Sequence, residues 1–113
     1  TEDDTGTLGE LTVEVYYEDR YGQPHPAPSY TDVYLYASYN DWYDNIPFLK
    51  TYTYMDNSIY FGFLEPIYDF YVYAYVEYDY KEYEASQRVM IYAGKHTTAQ
   101  VFMEEIVTPP QSE

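Results

Sequence analysis

Apolar and polar residues alternate along much of this chain. Leu11, Val13 and Val15 fall on one side of an extended segment and Thr12, Glu14 and Tyr16 on the other, which predicts a half-buried strand over residues 11–17. Residues 18–22 form a polar turn, and residues 23–29 hold Pro24, Pro26 and Pro28, which excludes a central strand there. A second strand carries Val33, Leu35 and Ala37 against Tyr34, Tyr36 and Ser38. Residues 39–47 are rich in turn formers and read as a loop, and residues 49–55 read as a third strand. After a turn over residues 56–58, Ile59, Phe61 and Phe63 alternate with Tyr60 and Gly62 in a fourth. Beyond Glu65 and Pro66, Phe70, Val72, Ala74 and Val76 alternate with Tyr71, Tyr73, Tyr75 and Glu77 in a fifth. Residues 79–86 are charged and lack aliphatic anchors, so they read as a loop or a weak continuation of that strand. A sixth strand carries Val89 and Ile91, breaks at Ala93-Gly94-Lys95, and gives way to a seventh over residues 97–103.

Short strands separated by regular turns predict an all-β, antiparallel seven-stranded β-sandwich with no long helix. The expected core is Leu11, Val13, Val15, Val33, Leu35, Phe61, Phe63, Phe70, Val72, Ala74, Val89 and Ile91. The expected organisation is an acidic N-terminal arm over residues 1–8, a β domain over 9–105 and a C-terminal tail over 106–113.

Composition sharpens this picture. Leu, Ile, Val and Phe supply only about a fifth of the 113 residues, and the formal net charge is −15, which borders on the signature of disorder. Nineteen tyrosines restore the balance, because aromatic side chains bury much area and favour strands. The same charge denies the chain the basic footprint that nucleic-acid binding requires, and no apolar run is long enough for a membrane-spanning helix. Cysteine is absent, which rules out disulfides, thiol nucleophiles and Cys-ligated metals.

The order of the segments resembles the carboxypeptidase regulatory-like family, whose domain is a transthyretin-like β-sandwich with Greek-key topology. The residues that carry the resemblance are 9–15, Gly22-Gln23-Pro24, 33–37, 55–58, 61–64, Phe70-Tyr71-Val72-Tyr73-Ala74, and 89–98. The chain departs from the family pattern at the turn around Asp56, which lacks the expected glycine, and at Ile67-Tyr68, which stands where a glycine usually precedes the fifth strand. The resemblance implies no catalytic residues. It implies a stalk, linker or accessory module of a secreted or envelope protein, and an acidic tether behind a processed N-terminus suits such a protein.

The residues themselves point away from catalysis. Neither His25 nor His96, nor any serine, sits in a nucleophile motif such as G-x-S-x-G or S-x-x-K. Carboxylate pairs such as Glu18/Asp19, Asp41/Asp44 and Glu104/Glu105 are expected by chance in a chain with 20 acids. No enzymatic activity is therefore expected. Two histidines are too few for a His-rich zinc site, but Asn40, Asp41, Asp44 and Asn45 offer oxygen ligands to a weakly held Ca²⁺. The plainer reading is that these four residues simply build a turn. Trp42, with Tyr39 and Tyr43, forms an aromatic loop that either stacks on sugar rings or folds back to cap the sandwich.

The tyrosines are the strongest anomaly. If Val33, Leu35, Phe70, Val72 and Ala74 face the core, then Tyr34, Tyr36, Tyr71, Tyr73 and Tyr75 face outward. The resemblance implies that the second and fifth strands are sheet neighbours, which would gather the five into one cross-strand cluster. Such a cluster is either a solubilised strand surface or a partner surface. The expected function is therefore a non-enzymatic extracellular or cell-surface module. It packs against protein, first of all copies of itself, through the tyrosine face and the terminal arms. The alternative is a glycan-binding accessory module that uses Trp42, Tyr39 and Tyr43 as stacking platforms.

Overall fold

A computed structural model of the chain describes residues 8–66 and 68–107. The proposed arm falls almost wholly outside these residues, as does most of the proposed tail. The described chain forms eight strands and one short helix. These are β1 (Gly9–Glu18), β2 (Pro24–Pro26), β3 (Asp32–Tyr36), α1 (Tyr39–Tyr43), β4 (Leu49–Tyr52), β5 (Ser58–Leu64), β6 (Phe70–Tyr78), β7 (Lys81–Val89) and β8 (His96–Glu105).

They build one mixed, curled sheet in the order β2-β1-β8-β7-β6-β3-β4, with β5 also paired to β1. One part surrounds β1, which takes β5 and β2 along one edge and β8 along the other. The second part is the antiparallel run β4-β3-β6-β7. The two parts are joined edge to edge where Tyr83 and Glu84 pair with Glu105 and Glu104. Leu11, Val13, Val15, Val101 and Met103 from the first part share a single core with Val33, Leu35, Phe70, Val72 and Ala74 from the second. No buried side-chain polar atom among the described residues lacks a hydrogen-bond partner, as a stable interior requires.

Three expectations are corrected. The sheet is not wholly antiparallel: β1 and β8 run parallel over eight residue pairs, Glu10↔His96 to Tyr17↔Met103. Strands this far apart in sequence are brought together by the fold, so no local turn dictates their direction. Residues 79–86, read as a loop or a weak continuation of the fifth strand, lie mostly in a separate strand, β7, which runs on to Val89. The turn that precedes it is a two-residue hairpin at Asp79 and Tyr80, both with positive φ, the backbone that tight hairpins require. The inward positions of β7 are Tyr83, Ala85, Gln87 and Val89, a set too poor in aliphatics to register as a buried face.

The third correction is Phe63. All other expected core residues are buried, but Phe63 is 82% exposed. Its φ of +59° breaks the alternation of β5, and the β1–β5 register shifts between Gly9 and Leu11. Leu64 turns inward in its place. A bulge inserts residues into one strand and so exchanges the faces beyond it.

Candidate functional site

The candidate site starts from the register of β3 on β6. Tyr34 pairs with Tyr73, Tyr36 with Tyr71, and Asp32 with Tyr75, which places the five predicted tyrosines together across two adjacent strands. Tyr34 and Tyr73 have ring centroids 6.0 Å apart. Tyr34, Tyr71, Tyr73 and Tyr75 are half-buried.

Tyr36 is the exception, with only 2% exposure. The chain leaving α1 passes over it, and its hydroxyl donates to Asn45 Oδ1 at 3.0 Å. Burial raises the pKa of its phenol, helped by the neighbouring Tyr34.

β7 lines the far side of this face with carboxylates. The Tyr73 hydroxyl donates to Glu84 Oε1 at 2.8 Å and the Tyr75 hydroxyl to Glu82 Oε2 at 2.9 Å. Tyr73 is held protonated well above the ordinary phenol range, first by burial and then by the Glu84 bond. Tyr75 moves the same way, chiefly through its bond to Glu82. Lys50 on β4 places its Nζ 5.9 Å from the centre of the Tyr34 ring, within cation–π range.

The loop that held the second set of candidates folds onto this face as α1. Ser38 caps it by accepting from Asp41 N–H at 3.0 Å, and Asp44 closes it. Asn45 follows at φ +60°, a conformation asparagine tolerates better than most residues. Trp42 then stacks on Tyr71, with centroids 6.1 Å apart and planes 22° from parallel. Tyr39 meets Tyr71 edge-on at 5.8 Å and Trp42 at 5.5 Å. Between helix and sheet lies an open groove of about 380 Å³, lined by Tyr34, Tyr36, Trp42, Tyr43, Asn45 and Tyr73.

The two sets of aromatic residues that the sequence suggested separately are therefore one surface. Tyr39 braces the helix behind the groove, Tyr71 lies under Trp42, and Tyr75 extends the face away from it. Of the suggested Ca²⁺ ligands, Asn40, Asp41 and Asp44 lie on α1 or at its end, where Asp41 and Asp44 bond through their backbone N–H groups, and Asn45 Oδ1 receives the Tyr36 hydroxyl. Among the described residues no three His, Asp or Glu side chains cluster as a metal site.

Glu82, Glu84, Lys50 and the groove-facing role of Asn45 escaped the sequence reading. The only available signal was the spacing of Glu82 and Glu84 at alternate positions, which matches a strand face, and it was hidden while residues 79–86 read as a loop. His25 lies elsewhere, bonded to Asp19 at 2.8 Å and stacked on Tyr17. His96 bonds Thr12 at 2.7 Å. Neither histidine faces the groove.

Comparison with protein-family models finds no match, and comparison with curated proteins finds none either. Solved structures do share the fold. The chain is similar to a candidate carbohydrate-binding protein from Pseudomonas aeruginosa, with a TM-score of 0.58 at 11% identity, covering 88% of this chain and 90% of that one. It is similar to a minor pilin of the Gram-positive pathogen Streptococcus agalactiae, with a TM-score of 0.55 at 15% identity, covering 96% of this chain and 49% of that one. It is also similar to the TIE protein of Bacillus anthracis, with a TM-score of 0.51 at 10% identity, covering 88% of this chain and 17% of that one. The chain thus spans about half of the pilin and a smaller part of the TIE protein. At these identities the likeness is one of fold. No described helix is long and apolar enough to cross a membrane.

Proposed function

We propose that this chain is a non-enzymatic β-module of a secreted or cell-surface protein, that its curled sheet is a transthyretin-like sandwich akin to carboxypeptidase regulatory-like modules, and that it binds glycans in the groove between α1 and the tyrosine face. One observation carries the reading: Trp42 and Tyr43 on the helix and Tyr34, Tyr36 and Tyr73 on the sheet converge on a single groove with the Asn45 side chain. Aromatic walls with a few polar groups, in a hollow of this size, suit a small ligand. Sugar rings offer apolar faces to stack and hydroxyls for the phenols and the amide. The Pseudomonas aeruginosa protein described as a candidate carbohydrate binder, which this chain matches over nearly its whole length, lends support.

A second reading is a protein partner held by the same face. Tyr39 and Tyr43, both exposed on α1, favour it, because they widen the aromatic surface beyond the groove. Copies of this chain fit the face poorly. Glu82 and Glu84 lie along it, and two copies face to face would oppose like charges.

The test is a glycan array followed by titration of array hits against the fluorescence of Trp42, the sole tryptophan. Saturable quenching that disappears in Tyr73→Ala, together with loss of array binding in Trp42→Ala, supports the glycan reading. No binding to any glycan, together with loss of a protein complex in the triple change of Tyr71, Tyr73 and Tyr75 to Ser, would replace it with the second.

A further inference from the structure

The sheet has several edges, and most are blunted in familiar ways; two are not, the sides of β7 (residues 85–89) and β8 (residues 96–103) that open beyond their short junction. β2 is three residues long and holds two prolines. β4 has four residues and carries Lys50. β5 is kinked by the bulge at Phe63. Free β-sheet edges are normally protected by such devices, because their unpaired amides and carbonyls invite another strand. β8 has none of them. It pairs with β1 over residues 96–103, but on its other side it meets β7 only at Glu104 and Glu105. Its free edge runs for about 27 Å, with no proline, no lysine and no register break.

This edge also lies in a gap in the charge. Between Glu84 and Glu104 the chain carries no carboxylate side chain, yet it carries Arg88, Lys95 and His96. In a chain of net charge −15, the carboxylates nearest to this stretch stand one strand back on β1, where Glu14 accepts from Gln100 at 3.1 Å and Glu10 lies 4.0 Å from His96, so copies meeting along β8 do not bring carboxylates into direct opposition.

The backbone fixes which groups are free. The Lys95 carbonyl accepts from Glu10 N–H, toward β1, and Ile106 N–H donates to the Glu82 carbonyl, toward β7. Peptide groups alternate sides along a strand. The odd-numbered residues therefore face β1, and His96, Thr98, Gln100 and Phe102 offer their N–H and C=O groups to the open edge.

We propose that β8 pairs antiparallel with β8 of a second copy, joining the two sheets about a two-fold axis at Ala99. This register pairs all four free residues at once, His96 with Phe102 and Thr98 with Gln100, each in both copies. It also keeps the two faces matched, since Ala99 meets Ala99 and Thr97 meets Val101 on the inward side. Such an isologous contact closes on itself and stops at a dimer. It leaves the groove at α1 free, so it stands or falls independently of the glycan reading.

The absence of native cysteine allows a register-specific test on the intact chain. In an antiparallel pair, a residue pointing away from the hydrogen-bonded edge lies roughly 4.5 Å, Cα to Cα, from its counterpart, within disulfide reach. Ala99→Cys should therefore form a covalent dimer on mild oxidation, while Gln100→Cys, offset from its own copy, should cross-link at least tenfold more slowly. Sedimentation of the unmodified chain should show a monomer–dimer equilibrium that strengthens with salt. In hydrogen exchange the amides of Thr98, Gln100 and Phe102 should gain protection with protein concentration. Thr98→Pro, which removes an N–H that the monomer leaves unpaired at this edge, should abolish the dimer and leave the monomer folded. A chain that stays monomeric at all concentrations and salt levels would overturn the proposal. So would a dimer in which these three amides remain unprotected.

Discussion

The indole of Trp42 stacks on the ring of Tyr71, 22° from parallel at a centroid separation of 6.1 Å. This contact ties a five-residue helix with no buried residue to the outer face of the sheet. A helix this short has no stability of its own, so side-chain contacts of this kind hold it in place.

Trp42 therefore reports on the site. Tyr71→Ala should shift Trp42 fluorescence emission to the red, because the indole loses its cover and meets water. The cost in stability should be modest, about 0.5–1.5 kcal/mol for the lost aromatic pair. Emission and thermal melts of the variant against the parent check both parts.

The two phenylalanines of opposite fate make a paired prediction. Phe70 is fully buried, and Phe70→Ala should cost about 3–5 kcal/mol through lost transfer energy and the cavity left behind. Phe63 is exposed with φ +59°. Phe63→Gly should be neutral or stabilising by up to about 1 kcal/mol, since glycine adopts this backbone without strain. Denaturant unfolding of both variants checks the pair.

Gly9 starts β1 where space is tightest. A Cβ there would stand 2.5 Å from Ile91 Cγ2 and 2.7 Å from the Tyr92 carbonyl oxygen. Because one of the two neighbours is backbone, Gly9→Ala should cost about 1–3 kcal/mol by overpacking, read as a lower denaturant midpoint at unchanged slope.

Alkali should unfold this protein through its phenols. Tyr36, Tyr73 and Tyr83 are shifted up mainly by burial, and Tyr60 and Tyr75 mainly by hydroxyl bonds to Glu10 and Glu82. A group held protonated in the fold contributes its full stability below the unfolded phenol pKa of about 10 and loses it as pH rises toward the folded value. The last part of the rise in phenolate absorbance should thus coincide with loss of near-ultraviolet circular dichroism above pH 10. Tyr73→Phe, which removes one such group, should move the transition to higher pH. Ionisation of all nineteen phenols near pH 10 with the fold intact would contradict these shifts.

The alternation of residues was enough to read the strands with aliphatic inward positions. β1, β3 and β6 stand where Leu11, Val33 and Phe70 announced them, and the tyrosines of β3 and β6 fall opposite the core because side-chain direction in a strand follows residue parity; that the two strands are neighbours was implied by the family resemblance and not by parity. Parity failed where the backbone departs from a regular strand. A bulge at Phe63 leaves no mark in a list of apolar residues, and β7 hid its face behind Tyr83, Ala85 and Gln87.

What the sequence determined by itself was composition-driven: an all-β chain, an acidic exterior, and a face of tyrosines opposite the core. The tertiary structure decided what those tyrosines adjoin. It folded α1 back so that Trp42 covers Tyr71 and Asn45 receives Tyr36. It set Glu82 and Glu84 beside Tyr75 and Tyr73, laid β8 parallel to β1 and left the far edge of β8 open. These are contacts between segments distant in sequence or joined by irregular backbone. Local patterning carries the period of an element but not its neighbours, which are chosen by how all the buried faces close over one core.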